Sequence, residues 1–500
     1  MFEKNQIIRF LIPLPFISLL LWSCTDLEET PYDVVTPGNF YKTEAELTAA
    51  VVPVYNSLGA ASWGSYMFLQ DVASDAIVVP TRGGDWDDGG KWRELQLHTW
   101  TPTHPEVNGA WNSIYGGVAK ANSTLDNLSR AEQTDLVKMY TAETKILRAI
   151  FYWWLIDLFG DVPLVTDPAT DPDNPPARTP RKDVFDFIIA EINEALPDLA
   201  ESHGSAGYGR VTKGAANTLL ATLYLNAEVY TGTAQWQKTV EACDAVINSG
   251  QYDLMPTVQD VFSFDNEGAA NTEYILVYAT LPLDGVTFFR HQATLHYNQL
   301  PSSPWNGFSV LTDFYNSYET GDDRLDQILV GQQYVLAGPN AGDSAFDRQG
   351  NPLDFQIDFP LINATESDGP RILKWPIDPN MSGWFAGNDY AIFRYSHVLL
   401  MKAEAQFNLG NTADALALVN QVRERAGLAA LSSVTADDIY QERGHELLWE
   451  GFRRQDMIRT GHWGDTWSLH DTPSPDYTKL YPIPQIQMDA NPNLVQNPGY

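Results

Sequence analysis

Two cysteines, Cys24 and Cys243, are all that the 500-residue chain contains, so no framework of disulfides holds it together. Cys243 stands in line with Val240 and Val246 at helical spacing and reads as a small buried hydrophobe rather than a reactive thiol. Cations are scarce as well: 31 Lys and Arg against 64 Asp and Glu leave a net charge of −33. A chain so charged repels nucleic acid and anionic membranes, and it suits a neutral ligand collected by shape and stacking. After Trp22 no second long apolar stretch follows, so no membrane-spanning helix is expected in the folded part. Catalytic signatures are missing too. His445-Glu446 begins like a zinc-protease helix, but Trp449 stands where the second histidine is required. There is no nucleophile elbow, phosphate-binding loop or Cys-x-x-Cys pair, and no cofactor or metal is expected. With so many acids, a carboxylate pair suited to glycoside hydrolysis stays open on sequence alone.

What is present begins at the N-terminus. Lys4 and Arg9 precede an apolar run from Phe10 to Trp22, too short to span a bilayer but laid out like a secretory signal. Leu21-Trp22-Ser23-Cys24 resembles the lipobox of bacterial lipoproteins, with Trp22 bulkier than the usual occupant. On that reading residues 1–23 are removed, Cys24 is lipidated, and 24–40 form an acidic spacer. Several acyl chains on one residue give a stable anchor. An ordinary signal peptide cut near an incidental cysteine is the other reading.

The remainder, 41–500, is long enough for one large domain or a few ordinary ones, and its 44% hydrophobic content is globular. Helical periodicity dominates, with runs at Glu143 to Phe159, Asp183 to Leu196, Lys213 to Tyr230, Trp236 to Ser249, Tyr390 to Leu409, Ala413 to Ala426 and Ala436 to Phe452. Ala227 precedes Gly232 by the spacing that separates Ala405 from Gly410, and a second helix follows each glycine. Such helix–Gly–helix units resemble tetratricopeptide (TPR) repeats, and generic helical hairpins fit the same pattern. The fold class expected is mainly α, with TPR-like pairs at about 110–250 and 390–455 and a few short strands.

Two stretches break this pattern. One runs from Ser62 to Pro105 and holds Gly83-Gly84-Asp85-Trp86-Asp87-Asp88-Gly89-Gly90-Lys91-Trp92; the other spans about 251–388. A compact domain seldom carries so long an irregular insertion unless it binds something. Asp85, Asp87 and Asp88 lack the spacing of a calcium loop. Both insertions are rich in aromatics: Trp86, Trp92, Tyr297, Trp305, Phe308, Trp375 and Trp384. A sugar ring offers an apolar C–H face and a belt of hydroxyls, so flat aromatics plus a few directional polar groups suit it. Arg82, Asp85, Asn298, Asn306 and Arg371 are the polar candidates nearby. Each aromatic either meets a ligand or folds back as a plug, whereas Trp153, Trp154 and Trp449 lie in helical runs and are expected in the core.

Six segments, in order, resemble the SusD/RagB family of outer-membrane nutrient-binding lipoproteins of Bacteroidetes. They are the lipoprotein signal, Leu147 to Leu164, Gly209 to Ala216, Tyr390 to Ala405, Glu442 to Asp456, and Tyr481 to Pro484 with Asn491 to Tyr500. The resemblance covers essentially the whole chain after the signal. It implies a helical SusD-like fold carrying a loop-built binding face, lipid anchoring on the outer leaflet, and a SusC-like TonB-dependent transporter as partner. It also implies a glycan or, in some relatives, a peptide as cargo, and no bond-breaking role. The expected ligand-binding set is Arg82, Asp85, Trp86, Trp92, Tyr297, Trp305, Asn306, Arg371 and Trp375, with Cys24 as the lipidation site. An exported glycoside hydrolase or a peptide-uptake lipoprotein are the alternatives.

Overall fold

Capping side chains fix where the first helices begin. Thr43 and Glu46 close a capping box on α1 (Glu44–Tyr55), His104 caps α2 (Pro105–Ser129), and Thr134 accepts from Val137 N at the start of α3 (Asp135–Phe159). There follow α4 (Arg181–Ala195), α5 (Lys213–Leu225), α6 (Trp236–Ile247), α7 (Tyr395–Asn408), α8 (Thr412–Arg425) and α9 (Ala436–Glu446). This computed structural model describes residues 41–500 apart from 170, 172, 265–269, 281–285 and 287. The expected signal peptide, Cys24 and the expected spacer lie outside the described residues.

The second half of α3 is apolar on every side, and every residue from Ile146 to Phe159 is buried. Helices α1, α2 and α4 pack round it. Its two charged side chains in this stretch are paired inside: Arg148 with Glu191 of α4 and Asn122 of α2, and Asp157 with Gln70, Tyr230 and Arg454. Buried without these partners, either charge would cost several kcal/mol, on the order of the desolvation penalty of an ion.

The helix–Gly–helix units take the same form twice. Gly232 and Gly410 hold left-handed φ values of 77° and 85°, and Ala227 and Ala405 are fully buried. Helix α6 packs on both α5 and α7, and α7 on α8 and α9, so the pairs are continuous in space although 251–388 separates them in sequence.

Helix α3 begins at Asp135 rather than Glu143, and at three other helix ends that differ from the periodicity the structure shows a local cause. Helix α5 stops at Leu225 because Asn226 turns its amide back onto Thr222 O and accepts from Arg459. Tyr390–Arg394 is a strand, pairing antiparallel with Tyr274–Tyr278, and α7 starts only after it. Helix α9 ends at Glu446, not Phe452: the carbonyls of Glu446, Leu448 and Trp449 accept from Lys374, Arg394 and Arg290 instead of from the next helical turn. Trp449 accordingly has φ 61°.

That strand pair closes the long insertion at its root. From the root, Arg394 reaches Glu273, Glu446 and Glu450, while Lys374 meets Glu450 and Arg425 meets Glu273 and Glu446. Glu446, the acid of the zinc-like motif, is thus an ion-pair partner inside the protein. Further out, Ile77–Val78 pairs with Ser309–Val310, joining the two insertions into one body.

Candidate functional site

A two-residue turn, Gly83-Gly84, is closed by Arg82 N to Asp85 O (3.0 Å) and Asp85 N to Arg82 O (2.9 Å), with Gly83 at φ 61°. It delivers Trp86, itself at φ 62°, to the second insertion, where its Nε1 donates to Trp305 O at 2.6 Å. The indole lies over Gly307: a Cβ there would stand 2.4 Å from Trp86 Cζ2. Beneath, Trp92 and Phe308 hold it, at centroid distances of 5.8 and 5.7 Å.

Trp305 is the centre of a ring cluster. Phe289 lies nearly parallel to it at 6.2 Å, Trp63 at 6.0 Å, and Trp384 edge-on at 6.2 Å. Trp63, Phe289 and Trp305 are partly buried, while Trp384 is 51% exposed and donates its Nε1 to Ser302 O. The result is a platform of indole edges and faces open to solvent on one side.

Beside it sits a polar cluster. Tyr297 OH donates to Asp85 Oδ2 at 2.6 Å, and Arg348 Nη2 donates to the same oxygen at 3.0 Å. Arg348 also pairs with Glu366 and lies 4.2 Å above the Tyr297 ring, while His296 Nε2 is 3.0 Å from Glu366. Tyr297, with Arg348, holds Asp85 below the usual carboxylate range, and burial together with the Asp85 charge pushes the phenol up. Burial outweighs Glu366 and pulls His296 down to about 4, so its imidazole is neutral at pH 7.

The expected set therefore divides. Asp85, Trp86, Tyr297 and Trp305 come together at the surface. Arg82, Trp92, Asn306, Arg371 and Trp375 are buried and offer no surface for a ligand to touch. Arg82 donates to the carbonyls of Pro80, Gly307 and Asp368 and to Ser309 Oγ. Arg371 donates to Asn306 Oδ1, Ser309 Oγ and the carbonyls of Glu366, Asp368 and Gly369. Asn306 returns a bond to Glu366 O. These three brace the loops from below, because an irregular segment has no ladder to satisfy its carbonyls. Trp375 packs between Phe262, Phe288 and Trp449 in the core. Asn298 is spent on Phe346 O.

Sequence reasoning missed Trp63, Phe289, Arg348 and Glu366. Arg348 carried a signal: it is an isolated cation in an acidic, turn-rich stretch, Asp347-Arg348-Gln349-Gly350-Asn351. Among the described residues no group of three or more His, Cys, Asp or Glu could hold a metal ion.

Residues 312–500 match a family model described as the SusD family, and residues 28–225 match one described as "Starch-binding associating with outer membrane". The chain is similar to the SusD-like protein P25 of Formosa agariphila, 26% identical over 99% of both chains. It is also similar to the starch-binding protein SusD of Bacteroides thetaiotaomicron, 26% identical over 83% of this chain and 82% of that one. Among solved structures, a laminarin binding SusD-like protein superposes with a TM-score of 0.75 at 26% identity, covering 92% of this chain and all of the other.

Proposed function

The chain belongs to the SusD/RagB family, and from that premise we propose that it captures oligosaccharides at the cell surface and passes them to a SusC-like TonB-dependent transporter. It is a glycan-binding protein of the outer membrane and acts without catalysis. Lipidation at Cys24 is the tether in this scheme, and the spacer 24–40 lets the folded part move against the transporter without leaving it.

One observation carries the binding half of the reading: exposed Trp384 and half-buried Trp305 and Trp86 lie beside Asp85, Tyr297 and Arg348. A pyranose stacked on the indoles presents its equatorial hydroxyls to a carboxylate, a phenol and a guanidinium, which between them donate and accept. The ligand-contact set is accordingly Asp85, Trp86, Tyr297, Trp305, Trp384 and Arg348. Relatives described as laminarin binding and starch-binding support neutral glucans as the first cargo to try.

The test is affinity electrophoresis and calorimetry of the chain from Thr25 onward against laminarin, starch and a peptide panel, with reducing ends assayed in parallel. Retention by a glucan without release of reducing sugar, lost in Trp305→Ala, is the expected result. Binding of peptides alone, or a Trp305→Ala variant that binds glucan like the parent, overturns it. Co-purification of a TonB-dependent barrel with the intact lipoprotein tests the partner.

A further inference from the structure

Beyond Arg348 the same face continues onto a small sheet with a core of its own. Gly331–Gln332 pairs with Asp354–Phe355, Tyr334 bridges Ser344, and Phe346 bridges Pro352. Ala345, Leu353 and Phe355 pack together with Leu329 beneath, and the Arg371 guanidinium caps the Phe355 ring at 4.5 Å. Side chains alternate across extended backbone, so the pairing that buries Gln333 and Ala345 sends Tyr334, Ser344 and Phe346 to the opposite face. Tyr334 is 49% exposed and Phe346 47%. Two large rings held in water by a rigid sheet are unfavourable unless something covers them.

The sheet is tied to the polar cluster. Asn298 Nδ2 donates to Phe346 O at 2.8 Å and Leu336 N to Gln299 O at 2.8 Å, at the two residues that follow Tyr297, while Arg348 stacks on the Tyr297 ring. The exposed order is therefore aromatic platform, polar cluster, aromatic sheet. Ser344, which pairs with Tyr334, is exposed as well, so a polar hydroxyl belongs to the same face as the two rings. The exposed cation here, Arg348, is already engaged by Asp85 and Glu366, Arg371 is buried beneath the sheet, and exposed Asp343 stands close by, so an anionic chain would meet repulsion.

We infer that the site extends onto this sheet, where Tyr334 and Phe346 form a second aromatic foot for a neutral oligosaccharide long enough to reach both it and Trp305. The inference rests on the glycan-binding reading above. Its test is calorimetry of the chain from Thr25 onward with laminari- and malto-oligosaccharides from disaccharide to heptasaccharide, comparing the parent with a Tyr334→Ala, Phe346→Ala double variant and with Trp305→Ala. The double variant should bind the disaccharide as the parent does and the heptasaccharide about tenfold more weakly, whereas Trp305→Ala weakens both. Both exposed rings can be removed without touching the core, and an unchanged unfolding midpoint checks this. A double variant that binds the heptasaccharide like the parent, or loses the disaccharide equally, overturns the second foot. Sulfated or uronic chains binding more tightly than neutral ones overturn the assigned chemistry. A parent that binds no glucan of any length overturns the glycan reading, and the extension with it.

Discussion

Gly307 is the position where a single methyl group should report on the whole platform. Its missing Cβ is the space that Trp86 occupies: the added atom would lie 2.4 Å from Cζ2 and 2.5 Å from Cε2 of the indole, and 2.9 Å from the Ala293 carbonyl oxygen. The carbonyl cannot retreat, because Gly307 N and Phe308 N both donate to it at 2.8 and 3.1 Å. The indole can, but only by giving up its 2.6 Å bond to Trp305 O and its packing on Phe308. Overpacking of this kind costs about 1–3 kcal/mol, and the lost hydrogen bond about 1 kcal/mol of that. Gly307→Ala should therefore lower stability by about 2 kcal/mol and weaken glucan binding together with it. The double-mutant cycle isolates the cause: in a Trp86→Ala background most of the clash is gone, so Gly307→Ala should cost at least about 1 kcal/mol less there than in the parent. Denaturant midpoints followed by circular dichroism, at constant slope, give the four free energies. Strict additivity would refute the reasoning, since it would mean that the methyl is accommodated without moving Trp86.

Burial holds both His291 and His296 down at about 4, against carbonyl or carboxylate partners pulling the other way, so the fold keeps them neutral. Protons that bind the unfolded chain alone then remove stability as pH falls from 6.5 towards 4, by about 3 kcal/mol for each group, measurable as a falling melting temperature over that window. Asp456 is buried, yet Arg443 and Arg459 outweigh burial and hold it at about 2. Its share of stability is present above pH 3.8 and lost towards 2, and Asp456→Asn should flatten that acid limb. Glu446→Gln strips one partner from Arg324, Arg394 and Arg425 at once and should cost about 3–5 kcal/mol, read as a lowered denaturation midpoint. Cys243, pushed up by burial, should resist a thiol reagent until the protein is unfolded. Cys24→Ala protein should bind glucan when purified but leave the cell surface, checked by fractionation.

How far the sequence was legible depended on whether a residue's role was local. The wholly apolar stretch of α3 and the paired glycines Gly232 and Gly410 declare themselves, because periodicity and left-handed caps are properties of a few neighbouring residues. Helix α2 did not. Gly109, Gly116 and Gly117 lower its helix propensity, and the structure shows what two of them are for: a Cβ on Gly117 would strike Phe151 of α3 at 2.8 Å, and one on Gly109 would strike Ser65 at 2.2 Å. Close packing across helices overrode local preference. The site followed the same rule. Aromatic content pointed to both insertions, but it is the pairing of Ile77–Val78 with Ser309–Val310, with the Arg82 bonds to Gly307 O and Ser309 Oγ, that brings Trp86 to Trp305, and no spacing predicts that. Arg82, Asn306 and Arg371 misled for a related reason: in sequence a polar residue beside tryptophans reads as a ligand contact, and here each was needed to satisfy carbonyls of the loops themselves.

That diversion of cations inward accounts for the character of the proposed binding face. Of 31 Lys and Arg, those at 82, 148, 290, 324, 371, 374, 394, 423, 443, 453 and 454 are buried. Arg82, Arg290, Arg371, Lys374 and Arg394 serve irregular backbone or its acids, at the end of α9 and in the loops under Trp305, whereas Arg148 and Arg443 pair with acids between helices. A guanidinium supplies five donors from one position, so it can answer more carbonyls of irregular backbone at once than a lysine or an amide can. The consequence appears at the surface. With so many arginines committed inside, the proposed ligand-contact set keeps one cation, Arg348, which two carboxylates already hold, and in that proposal recognition is left to ring faces, a phenol and a carboxylate. On the proposed site, the same economy of charge that lets long loops stand still should therefore disfavour anionic cargo, without any residue placed for that purpose.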